Sequence, residues 1–152
     1  VTENPHFETA DDWAQAGIRL GFTPLRPASH PSVLRIHVRD HRLREVAPTL
    51  EAHFDRYVLS QARRQPSEAH RLAHGVTYGS SPVPVDVAGH DAVAYELGPT
   101  PAPDDIDPRS PSVVTWADGD IFVLLASDSM TVDELIEEAR SLYPARDDST
   151  HR

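Results

Sequence analysis

The 152-residue sequence has no cysteine and no lysine. Without thiols there can be no disulfide, thiolate zinc site, iron–sulfur cluster or cysteine nucleophile. Without lysine, Schiff-base chemistry is excluded, and so is the Gly-Lys-Ser/Thr ending of a phosphate-binding loop. Long apolar runs are also missing. No stretch approaches the roughly 20 residues that a helix needs to span a bilayer. Positive charge is in deficit, since 24 acids outweigh 14 arginines for a formal net charge of −10. That balance argues against general nucleic-acid binding, which needs a surplus of cations facing phosphate.

The length fits one domain of the usual size, about 100–150 residues. Residues 1–146 are expected to form a single α+β domain, and the polar run 147–152 a loose tail. The chain starts at Val1 rather than Met, so an upstream signal or anchoring segment is expected. Any membrane association would run through that segment. The exclusive use of arginine fits the codon usage of a GC-rich bacterium.

Thr9 is placed to cap a short helix over 11–16, with Gly17 as its stop. Three prolines keep 22–32 extended. Over 33–39, Leu34, Ile36 and Val38 alternate with Arg35, His37 and Arg39, which predicts a strand. Residues 50–63 fit a helical face or a strand, and the reading adopted is a strand near 56–62. Ser67 to Gly75 reads as a small helix with a serine cap and a glycine stop.

Val83, Val85 and Val87 alternate, Gly89-His90 turns, and Val93, Tyr95 and Leu97 alternate again. That is a hairpin. Five prolines and three aspartates make 99–112 an exposed loop. A second hairpin joins 112–116 to 120–125 through Ala117-Asp118-Gly119, with Asp-Gly supplying a primed turn. Thr131 and Glu134 form a capping box for a last helix. Its apolar face is Leu135, Ile136, Ala139, Leu142 and Tyr143, and Pro144 closes it. Trp116 and Tyr95 are expected in the core. The whole predicts an α+β fold: a mainly antiparallel sheet built from hairpins, with an N-terminal and a C-terminal helix packed on it.

Charge is unevenly distributed. Residues 1–75 carry 10 Arg and 9 acids, and residues 76–152 carry 4 Arg and 15 acids. Arg35, His37, Arg39 and His41 share one strand face at period two, and Arg42 and Arg44 follow. This stripe is the candidate surface for a protein partner or an anionic ligand, tightening below roughly pH 6.5 as histidine protonates. The alternative is a solvated sheet face whose arginines pair across strands with acids of the second half. The acidic loop 99–112 is a second candidate edge.

His70 and His74 stand four apart on the small helix, the spacing of a zinc helix. The glutamate of His-Glu-x-x-His is replaced by Arg71, and no third ligand can be named. Asp104-Asp105-Ile106-Asp107 lacks the acid spacing, glycine and closing glutamate of a calcium loop. There is no Gly-x-Ser-x-Gly elbow, and Ser80-Ser81 has no assignable His–Asp partner. No catalytic residue can be assigned and no cofactor is expected. A small His-based metal-binding protein or metal-dependent enzyme stands as the alternative.

Three segments of the second half resemble a bacterial extracytoplasmic domain of unknown function found in lipoproteins and in the outer part of anti-sigma factors. They are Val85 to Ala92, Val114 to Phe122 and Thr131 to Leu142. In the first half only Phe22 to Pro27 is similar, and Ser29-His30-Pro31 departs from that family's Leu-Pro step. Small secreted domains of the photosystem PsbP type share the late hairpin and final helix. These resemblances imply a sheet packed with helices, an extracytoplasmic location and a non-catalytic sensing or interaction role.

Overall fold

The computed structural model describes residues 6–69, 82–96 and 112–145. In chain order the elements are β1 (Phe7–Thr9), α1 (Trp13–Leu20), β2 (Leu25–Arg26), β3 (Val33–Arg39), β4 (Glu45–His53) and β5 (Val58–Arg63). Then come β6 (Val83–Val87), β7 (His90–Glu96), β8 (Ser112–Asp118), β9 (Ile121–Ser127), α2 (Val132–Arg140) and β10 (Tyr143–Pro144). Eight strands form one sheet in the order β1-β3-β4-β5-β9-β8-β7-β6, and β10 pairs with β2 in a small second sheet. Every neighbouring pair is antiparallel. Two meanders, β3-β4-β5 and β6-β7-β8-β9, are therefore stitched together where β5 meets β9. The α+β fold with a mainly antiparallel sheet follows the expectation from the sequence.

The two-residue period of a strand decides what each face carries. Leu34 and Ile36, Leu50 and Ala52, Leu59, Val123 and Leu125, and Val114 and Trp116 meet on one face across the registers of β3 to β8. They bury the main core together with Trp13, Ala16 and Leu20 of α1 and Leu135, Ile136 and Ala139 of α2. Both helices thus pack on the same face. Trp116 and Tyr95 are both buried, but on opposite faces. Trp116 lies in the main core, whereas Tyr95 joins Val93 and Val113 in a second cluster.

Several local boundaries differ from the sequence reading. Helix α1 starts two residues after the predicted onset, because Asp12 rather than Thr9 is its cap, its carboxylate accepting the Gln15 N–H. Gly17 lies inside the helix, and the chain leaves it at Gly21, whose φ of 81° suits glycine. Thr9 instead belongs to β1, an edge strand too short to show a period. Strand β4 was not anticipated, because its first four residues, Glu45 to Pro48, are all exposed and carry no alternation.

The strand read at 56–62 is β5, at 58–63. Residues 66–69 are helical from Pro66, and the carbonyl of Gln65 accepts the Ala69 N–H, so Ser67 is not the cap. Residues 70–75 of the expected helix, the Ser80-Ser81 pair, residues 97–111 and the expected tail 147–152 lie outside the described residues. Helix α2 keeps its capping box but ends at Arg140. Tyr143 and Pro144 turn away to pair with Arg26 and Leu25.

The two hairpin turns are the reverse of the simplest reading. Asp118 pairs with Ile121, leaving Gly119-Asp120 as the loop, and of these only Gly119 has positive φ, at 62°. That is the pattern of a type II′ turn. In the β6–β7 hairpin, Val87 pairs with His90, and both Ala88 (φ 52°) and Gly89 (φ 87°) are left-handed. That is type I′, which prefers Asn-Gly. An alanine in the left-handed region is strained by its Cβ. Ala88→Asn is therefore expected to stabilise the fold by about 0.5–1 kcal/mol. A urea midpoint that stays put or falls would contradict this assignment.

Candidate functional site

The cationic stripe is divided by the structure. Arg35, His37 and Arg39 lie on β3, which ends at Arg39, and the register with β4 shifts between His37 and Arg39. His41, Arg42 and Arg44 lie beyond that strand, in the connection to β4, so His41 does not continue the face. Asp40 organises that connection. Its Oδ1 accepts the N–H groups of Arg42 (2.8 Å) and Arg44 (3.0 Å), and its Oδ2 pairs with the Arg44 guanidinium at 2.8 Å. The Arg44 backbone N–H, foremost among these donors, holds the Asp40 carboxyl below its ordinary range.

On the sheet face opposite the helices, Arg35 and His37 share the aromatic ring of Phe7. The Arg35 guanidinium carbon lies 3.7 Å from the ring centroid, a cation–π contact, and the His37 ring is 5.0 Å away, tilted by 35°. Glu51, directly across from Arg35 in the register, accepts from Arg35 at 3.2 Å and contacts His53 Nε2 at 3.1 Å. The Arg35 partner is therefore an acid of the same half of the chain. Pairing between halves occurs elsewhere, in Arg56–Glu134 (3.4 Å) and Arg63–Asp120 (3.2 Å).

The cluster is thus Phe7, Arg35, His37, Glu51 and His53. The sequence reading found only the β3 members. Glu51 and His53 alternate with Leu50 and Ala52, and that four-residue pattern was the available signal. It was obscured by the unpatterned start of β4.

Other polar side chains of the described residues have structural work. Tyr57 Oη donates to Glu138 Oε2 at 2.9 Å, tying the turn before β5 to α2. Burial and the neighbouring carboxylate push the Tyr57 hydroxyl well above its ordinary value. Glu134 serves the capping box, and the backbone N–H of Thr131 holds its carboxyl below the usual range. Among the described residues no three His, Asp or Glu side chains converge as a metal site would need. His70, His74 and Asp104 to Asp107 lie outside those residues.

Comparison with known protein families, curated proteins and solved structures finds no match to this chain.

Proposed function

We propose that this chain is a non-catalytic sensing or protein-interaction domain of a membrane-tethered or lipid-anchored protein, working outside the cytoplasm. The observation that carries the interaction role lies at the β1-β3-β4 end of the sheet, on the face opposite α1 and α2. There α1 and α2 cover one face, while Arg35, His37 and His53 stand half-exposed on the other, Arg35 and His37 against the Phe7 ring. An aromatic flanked by a guanidinium and an imidazole suits an acidic protein segment, because arginine and aromatic residues are the usual anchors of protein contacts. Arg39, Arg42 and Arg44 follow in the chain, with the Arg44 guanidinium paired to Asp40. The extracytoplasmic setting rests on the likeness of the three second-half segments.

The test uses the full-length protein in its own cells. Reversal of two charges, Arg35→Glu with Arg39→Glu, is expected to lower capture of an acidic partner from an envelope extract by about tenfold or more. Melting should move by only a few degrees, since a half-exposed pair such as Arg35–Glu51 is worth roughly 0–1 kcal/mol. An unchanged set of captured proteins, or recovery of the full-length protein in the cytosol, would overturn the proposal.

A further inference from the structure

A cleft of about 690 Å³ opens between the start of α1 and residues 30–34. It is lined by Asp11, Asp12, Trp13, Arg26 and His30 among others. Its volume lies in the range of small-molecule sites, roughly 300–1,000 Å³.

Three features of its wall are unspent. The indole of Trp13 is nearly buried, at 6% exposure, and its Nε1–H is the one buried side-chain donor among the described residues that lacks an acceptor. Such a group costs free energy unless something accepts from it. Arg26 lies over that indole, 5.5 Å from the ring centroid, and over Tyr143 at 6.0 Å. Its Nε donates to the Pro27 carbonyl, and no carboxylate of the described residues lies within ion-pair distance. A guanidinium stacked between two rings is pre-organised to present its remaining N–H groups to an anion.

The third feature is the acidic part of the lining. Asp11 and Asp12 both line the cleft, and only Asp12 is committed, as the α1 cap. A simple anion would meet two carboxylates, and a simple cation would meet Arg26. A small molecule carrying both charges satisfies both kinds of group. We infer that the cleft binds a zwitterion of the α-amino acid class, its carboxylate taken by Arg26 beside the Trp13 indole and its ammonium facing Asp11. This would give the proposed sensing domain a ligand, but the inference rests on the cleft alone and survives if the stripe binds nothing.

The chain has two tryptophans, so an ¹⁵N-labelled sample gives two indole N–H resonances, assigned with Trp116→Phe. The standard amino acids are titrated one at a time at millimolar concentration. At least one should move the Trp13 resonance and leave that of Trp116 in place. Its N-acetyl and its amide analogues, each lacking one charge, should bind about tenfold or more weakly, as should Arg26→Gln and the exposed Asp11→Asn. A Trp13 resonance that no amino acid moves would show that the cleft holds water only, and the inference would fall. Equal binding of the charge-deleted analogues would overturn it as well.

Discussion

Gln61→Leu is expected to cost about 2–4 kcal/mol of folding stability, read as a lowered urea midpoint with little change in slope. Gln61 lies in β5, on the core face and only 1% exposed. Its side-chain amide acts as a strand partner. Oε1 accepts the Leu25 N–H at 2.6 Å, and Nε2 donates to the Leu25 carbonyl at 2.8 Å. The reason Leu25 needs this partner is its position in the small sheet. Ala145 N–H donates to the Pro24 carbonyl, so the next residue turns its peptide groups away from β10 and toward Gln61. Leucine fills a similar volume but leaves both part-buried backbone groups of Leu25 without this partner, each at about 1–3 kcal/mol.

Hydrogen exchange should show faster exchange at Leu25 and Ala145. Gln61→Glu keeps the acceptor but sets a buried carboxylate against a carbonyl. Burial would raise its pKa above the unfolded value, so the folded state gains on protonation and the deficit should shrink as the pH falls. A Gln61→Leu protein as stable as the parent would remove the amide bridge from the account of this fold.

The second large effect is expected at the end of the neighbouring strand, β9. Ser127→Ala should destabilise by about 2–3 kcal/mol, with the greatest loss of exchange protection in α2. The Ser127 hydroxyl is 4% exposed, donates to the Arg56 carbonyl, and accepts the N–H groups of Met130 (2.9 Å) and Ser129 (3.1 Å). Its cross-strand neighbour Ser112 donates to the Met130 carbonyl at 3.0 Å. The two serines grip both sides of Met130 and so aim the turn that ends in the Thr131 cap. Ser129→Ala removes only an exposed hydroxyl and should cost under about 0.5 kcal/mol. Equal effects at the two positions would mean that the clamp contributes nothing.

Where a segment buries one face and caps its own ends, the sequence could be read directly. Leu34, Ile36 and Val38 alternate over β3, and the Thr131–Glu134 pair announces α2. The β8–β9 hairpin was legible for the same reason, although the turn type depended on which residues pair. The elements that escaped are those built by distant partners. Strand β1 has three residues, β2 and β10 have two each, and β4 begins with four exposed ones. None carries a period long enough to be seen.

The candidate surface divides in the same way. The cationic members of β3 were visible, but Phe7, Glu51 and His53 join them only through the registers of β1 and β4. Composition alone excluded thiol and lysine chemistry and set the acidic balance, because those depend on which side chains exist and not on where they lie. Local pattern determined the hairpins and the last helix, because hydrogen bonds and burial there repeat within a few residues. Only the tertiary structure decided that both helices share one face, that Gln61 is a buried partner rather than a solvated strand residue, and that Trp13, Arg26 and Asp11 wall one cleft. Those depend on contacts between residues far apart in the chain, which no local period encodes.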